Sequence, residues 1–158
     1  MNMNPSIEFA SHQDIDEVQA LLEDNGLGLA GDIEDHVVVR SEGVIYAAAK
    51  LHPTEKDSFH LEVIGVRDDQ HGDGLGSLLL SELTSAPWTY CHPMAIPVSG
   101  KYQVTCVAKG DAVHFYKKMG FVAYSFSGLA SKYSEQCDNC PDQESCQPLP
   151  MIFTSVKF

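Results

Sequence analysis

The sequence predicts an α+β fold, with a mixed and mostly antiparallel sheet and helices on both faces. Three observations lead there. Short apolar runs bounded by turn residues recur along the chain, as strands do. Two of them, Val37–Arg40 and Val44–Leu51, are joined at Ser41-Glu42-Gly43, a glycine-containing hairpin turn that makes the pair antiparallel. Leu75, Leu78, Leu79 and Leu83 then recur at helical spacing after the apolar run Leu61–Val66, so a strand also feeds a helix.

Taken in order, Ile7–Ala10 reads as the first strand. Ser11 and Asp14 have capping-box spacing and open a helix with Ile15, Val18, Leu21 and Leu22 inward, which Asn25-Gly26 ends. A glycine-rich segment from Gly26 to Asp35 precedes the hairpin. Pro53–Ser58 is a polar turn, and Phe59–Val66 is the strand leading into a glycine loop. The following helix stops at Ser85-Ala86-Pro87, and Trp88–Gly100 shows no period. Lys101–Ala108 is a strand, Asp111 caps a helix holding Tyr116, and Gly120 stands where a left-handed C-cap belongs. Phe121–Ser127 reads as a strand, and Met151–Phe158 offers one more. There is no internal repeat, and a single domain over 1–158 is expected, with a cysteine-containing C-terminal segment at 134–158.

Composition bounds the function. The 158 residues are 44% apolar and 20% charged, an ordinary globular balance with room for a core. Ten basic against 22 acidic residues give a net charge of −12, which argues against a nucleic-acid partner held through phosphates. An acidic surface suits an amine substrate, and serves solubility equally well. No apolar run approaches a membrane span and the first residues lack a signal-peptide pattern, so a cytoplasmic protein without membrane contact is expected. A homodimer is left open.

The stretch Val66-Arg67-Asp68-Asp69-Gln70-His71-Gly72-Asp73-Gly74-Leu75-Gly76-Ser77 is where chemistry is expected. A glycine loop between a strand and a helix suits a bound phosphate, because first-turn amides point outward and glycine allows close approach. A Walker loop would need Gly-Lys-Ser/Thr, which is missing, and a dinucleotide fingerprint would need a third glycine where Ser77 stands. What fits is Q/R-x-x-G-x-G/A, laid over His71–Gly76.

On those residues the stretch resembles the acetyl-CoA pyrophosphate loop of the GNAT N-acetyltransferase superfamily. A second block agrees: Ala112-Val113-His114-Phe115-Tyr116-Lys117-Lys118-Met119-Gly120-Phe121 is similar to the family's A-x-x-F-Y-x-x-x-G-F signature. The resemblance implies the acyl-CoA N-acyltransferase fold and an enzyme moving an acetyl group from acetyl-CoA to the primary amine of a small molecule or amino acid. It implies that the main chain of Ile64 to Val66 binds the pantetheine arm. His71, Gly72, Gly74, Gly76 and Ser77 would take the pyrophosphate, and Lys109, where an asparagine is frequent, or else Lys117 or Lys118, would face the phosphates. Tyr116 would protonate the departing thiolate. The general base is His60, which stands where the histone-modifying branch has a glutamate, or Glu62 on the same strand face. His71 replaces the usual glutamine or arginine, and Asp68, Asp69 and Asp73 crowd the loop. Each such exposed carboxylate should cost only roughly a few tenths of a kcal/mol, which several backbone amides can outweigh.

Three of the five cysteines form Cys137-x-x-Cys140-x5-Cys146, with Pro141 inside. Their thiolates could hold zinc if Cys91, His92 or Cys106 supplied a fourth ligand, or they could remain free thiols. The segment also resembles the C-x-x-C-P tail of short amino-acid N-acetyltransferases related to N-acetylglutamate synthase. Those proteins carry E-I-R where this chain has His60-Leu61-Glu62, so the resemblance implies a cationic or neutral acceptor rather than glutamate. The alternative function is a non-catalytic acyl-CoA-binding sensor whose cysteine tail responds to metal or redox state.

Overall fold

A computed structural model describes residues 5–55, 57–67, 74–91, 100–108, 112–125 and 149–155. In chain order the elements are β1 (Ser6–Phe9), α1 (Ile15–Asp24), β2 (Val37–Ser41), β3 (Val44–Glu55), β4 (Ser58–Val66), α2 (Leu75–Ser85), β5 (Gln103–Ala108), α3 (Ala112–Lys118), β6 (Val122–Ala123) and β7 (Leu149–Thr154). The seven strands run in the order β1-β2-β3-β4-β5-β7-β6. Pairing is antiparallel for β1 with β2, β2 with β3, β5 with β7 and β6 with β7, and parallel for β4 with β5, which makes the sheet mixed as expected. The chain divides into two compact units, Met1–Pro53 with Leu61–Pro97 and Thr54–His60 with Val98–Phe158.

In the first unit the hairpin turn is as read: Glu42 and Gly43 both take positive φ, 51° and 80°, and Ser41 faces Val44 across the strands. Two positive-φ residues match the right-handed twist of the strands they join. Helix α1 ends in a complete glycine cap. The Leu27 N–H reaches back to the Leu22 carbonyl (2.8 Å) and the Gly26 N–H to Glu23 (2.9 Å), with Gly26 at φ 75°. Val18, Leu21 and Leu22 on α1 pack with Ala10, Ile33, Val38, Ile45 and Ala48 into a buried cluster, joined by Leu27, Leu29 and Val63.

Four expectations need correction. Ile15 is 38% exposed, because a 3-10 turn at His12–Asp14 precedes the helix and buries Asp14 instead, where its carboxylate meets Arg40 (2.8 Å). The apolar stripe therefore starts at Val18. Leu78 is 37% exposed; Leu75, Leu79, Leu80, Leu83 and Thr84 form the buried face of α2. The stretch from Pro53 is strand as far as Glu55, not turn, and β6 is confined to Val122 and Ala123.

In the second unit β5 pairs with β7 along its whole length, from Gln103 opposite Thr154 to Ala108 opposite Leu149. Ser58, Phe59 and His60 of β4 lie parallel to Gln103, Val104 and Thr105. Helix α3 closes with the same cap as α1: Phe121 N–H bonds to the Tyr116 carbonyl (3.0 Å) and Gly120 N–H to Lys117 (3.2 Å), with Gly120 at φ 96°. The cap's usual apolar contact is aromatic here, since the Tyr116 and Phe121 rings meet edge-on at 5.2 Å.

Candidate active site

In the first unit, the end of β4 is fixed from two directions. The Arg67 N–H donates to the Tyr46 carbonyl on β3 (2.9 Å), and its guanidinium to the Ile45 carbonyl (3.0 and 3.1 Å) and to Glu17 on α1 (3.2 Å). Amides along a strand alternate between its two edges. Those of Val66 and, two residues back, Ile64 therefore address the edge away from Tyr46. There Asn25 Nδ2, at the end of α1, donates to the Val66 carbonyl and also to Leu21, each at 2.9 Å. Gly65 between them is where helix and strand come closest: a Cβ would lie 3.1 Å from Leu22 Cδ2 and 3.2 Å from Asn25 Nδ2.

Helix α2 opens on Gly74, which is left-handed (φ 74°, ψ 12°) and would have nothing within 4 Å of an added Cβ. Its carbonyl accepts the Leu78 N–H at 2.9 Å, closing the first helical turn. The N–H groups of Leu75, Gly76 and Ser77 belong to the turn in which helical amides have no partner within their own helix. An exposed glycine in the left-handed region and the positive end of an 11-residue helix suit an anionic ligand.

The Glu62 carboxylate is not a lone acid on β4. It is paired with Lys50 Nζ from β3, and both side chains are only 9% exposed. Gly31, with φ 104°, passes close by; its Cβ would lie 3.7 Å from the ammonium. His36 is fully buried nearby. Its Nε2 accepts the Ala30 N–H (3.0 Å), so the ring hydrogen is on Nδ1, which donates to the Asp32 carbonyl (2.9 Å). Burial, reinforced by the Lys50 charge, holds this imidazole below its ordinary 6.5 and therefore neutral.

In the second unit His60 is 4% exposed and its Nδ1 lies 2.7 Å from Thr105 Oγ1, whose hydroxyl is within reach of the Phe59 carbonyl (3.4 Å). Tyr116 is buried on α3, and its hydroxyl shares a hydrogen bond with the Cys106 thiol of β5. Burial first, and the thiol second, raise the phenol well above 10. Cys106 is itself pushed up to about 12 by burial, as is Cys91, whose thiol donates to the Pro87 carbonyl (3.5 Å).

His71, Gly72, Lys109, Cys137, Cys140 and Cys146 lie outside the described residues. Among the described residues no group of three or more histidine, cysteine or acidic side chains is arranged to hold a metal ion, and both described cysteines are buried free thiols. No helix of the described residues is long and apolar enough to cross a membrane. Sequence reasoning passed over Lys50, Arg67, Asn25 and Thr105. A signal existed for the first: Lys50 is the one charged residue in the apolar run Val44–Leu51.

A family model described as Acetyltransferase (GNAT) domain matches residues 32–123, well over half of the chain, and the protein belongs to that family. Its fold is shared by N-acetylglutamate synthase from Neisseria gonorrhoeae, solved with coenzyme A and N-acetyl-glutamate (TM-score 0.75, 16% identity, covering 99% of this chain and 36% of that one). It is shared equally by Ard1 from Thermoplasma volcanium (TM-score 0.67, 16% identity, 97% and 99% covered). The Escherichia coli ribosomal-protein-S18-alanine N-acetyltransferase is a third example (TM-score 0.65, 14% identity, 98% and 97% covered). This chain spans about a third of the length of the N-acetylglutamate synthase chains it matches.

Proposed function

We propose that this protein transfers an acetyl group from acetyl-CoA to the primary amine of a small molecule or amino acid. The observation that carries the reading is the start of α2, where an exposed, left-handed Gly74 opens the helix at the positive end of its dipole. Gly74, Gly76 and Ser77, with His71 and Gly72 before them, would hold the pyrophosphate of coenzyme A through backbone N–H groups. Ile64 and Val66 would pair with the pantetheine amides as a strand pairs with a peptide, and Lys109 would face the phosphates. Coenzyme A supplies the acetyl group as a thioester.

The residues then handle protons. His60 and Glu62 are the two groups suited to take the proton of the incoming ammonium, directly or through water. Tyr116 gives its phenolic proton to the sulfur that leaves, and because its own ionisation lies well above 10 it is fully protonated at working pH. Solved structures of this fold include one with coenzyme A and an acetylated amino acid, which supports the reading.

The test is release of free thiol from acetyl-CoA across a panel of amines, amino acids and peptides, alongside coenzyme A titration with hydrogen exchange at Leu75–Ser77. Thiol release and protection are expected. Tight coenzyme binding with no thiol release from any acceptor would leave a binding protein in place of an enzyme; no binding at all would overturn both.

A further inference from the structure

We infer that Lys50, opposed to Glu62, selects acceptors that carry a carboxylate next to the reacting amine, so that the substrate class is an α-amino acid rather than a simple amine. The inference rests on the acetyltransferase reading above.

The ion pair itself is the starting point. Lys50 and Glu62 come from neighbouring strands and are each about nine-tenths buried. Taking both charges out of water costs several kcal/mol per ion, and well-packed apolar residues often do as well or better, so stability alone does not account for the pair. An ammonium carries three protons, and the described residues supply one side-chain partner, Glu62.

The neighbours do not take the rest. Both nitrogens of His36 are committed, to Ala30 and Asp32. The Cys91 thiol, whose ionisation Lys50 opposes burial in lowering, stays protonated and donates to Pro87. Gly31, the residue whose added Cβ would come within 3.7 Å of Nζ, brings only backbone there.

An amino acid matches this arrangement charge for charge. Its ammonium replaces Lys50 at Glu62 and its carboxylate replaces Glu62 at Lys50, so one buried pair becomes two. A simple amine brings a second cation to Glu62 and no anion to Lys50, so two positive charges share one buried carboxylate, a costly arrangement out of water. The cation missing from the E-I-R position of β4 is thus supplied from β3.

The experiment compares kcat/KM, by thiol release, and binding in the presence of coenzyme A, by calorimetry, for amino acids against the amines left when the carboxylate is removed, such as alanine with ethylamine and leucine with 3-methylbutylamine. The wild-type protein should favour the amino acids by about 100-fold or more. Lys50→Met should collapse that ratio to within a few-fold by raising KM for the amino acids, with KM for acetyl-CoA unchanged, while Lys50→Arg should keep it. Should Lys50→Met fail to fold, the wild-type ratio and Lys50→Arg decide. Equal acceptance or binding of each amine and its amino acid by the wild type, or a ratio untouched in Lys50→Met, overturns the assignment while leaving acetyl transfer standing. Thiol release from no acceptor overturns acetyl transfer, and the binding comparison still decides Lys50.

Discussion

Asn25 holds the last residue of β4: both protons of its side-chain amide are spent, one on the Leu21 carbonyl within its own helix and one on Val66, each at 2.9 Å. A helix end and a strand end are thereby joined through one side chain, at the strand proposed to receive the pantetheine arm. Asn25→Ala removes both bonds and leaves two part-buried carbonyls. It should cost about 1–3 kcal/mol in chemical denaturation and raise KM for acetyl-CoA more than it lowers kcat. A wild-type KM in a destabilised variant would show that the contact is structural alone.

Gly65 and Gly120 separate two reasons for glycine. At Gly65 φ is ordinary and the obstacle is space, with Leu22 and Asn25 inside 3.3 Å of an added Cβ. At Gly120 φ is 96° and the nearest atoms, on the Phe153 ring, stand at a comfortable 3.5 Å. Gly65→Ala should cost about 1–3 kcal/mol through overpacking and Gly120→Ala about 1–2 kcal/mol through backbone strain. Asn is tolerated better than Ala in the left-handed region, so Gly120→Asn should recover part of the loss, whereas Gly65→Asn should be worse than Gly65→Ala. Urea melts of the four variants check the pattern.

Both cap glycines, the Ser41-Glu42-Gly43 hairpin and the passage from strand through Gly74 to helix could be read from the chain because each is settled by residues a few places apart. Val18, Leu21 and Leu22 were legible for the same reason. Lys50 with Glu62, Asn25 with Val66 and His60 with Thr105 were not: these partners are 12, 41 and 45 residues apart, and which side chains meet depends on strand register and helix placement. Ile15 and Leu78 had the right spacing but sit at the edge of their stripes, where a turn of the helix decides between core and water. The candidate site was thus visible as backbone and glycine, and hidden where it depends on paired side chains.

His36 makes stability depend on pH. The folded protein holds this imidazole below its ordinary 6.5, so the unfolded chain is the better proton binder. Its contribution is fully present above pH 6.5 and is lost as pH falls through 6.5 toward the lowered folded value. Protonation also removes the acceptor for the Ala30 N–H, a loss of about 1–3 kcal/mol at most. Thermal unfolding midpoints at pH 8, 6.5 and 5 should fall more steeply in the wild type than in His36→Gln, and parallel curves would remove His36 as the cause.

Cys91 and Cys106 should be inert in the native state. Burial pushes both thiols up to about 12, so at pH 8 the reactive thiolate is scarce as well as inaccessible. Iodoacetamide followed by peptide mass spectrometry should leave both unmodified in native protein and alkylate both in denaturant. Native labelling of either would show that its strand or turn opens readily.

Tyr116 is the residue on which catalysis should turn. Its ring is packed edge-on against Phe121 at 5.2 Å and its hydroxyl is shared with Cys106, so Tyr116→Phe keeps the packing and removes only the oxygen. Stability should change by about 1 kcal/mol or less, the net worth of one hydrogen bond. If this phenol is the proton donor, kcat should drop on the order of 100- to 10,000-fold, with KM for acetyl-CoA little changed. The pH profile gives an independent check. A phenol raised well above 10 stays protonated across the working range, so it produces no falling limb below pH 10. A wild-type kcat that declines between pH 8 and 10, with the decline abolished in Tyr116→Phe, would show that the hydroxyl ionises in that range. A Tyr116→Phe variant with wild-type kcat would take the proton from another source altogether.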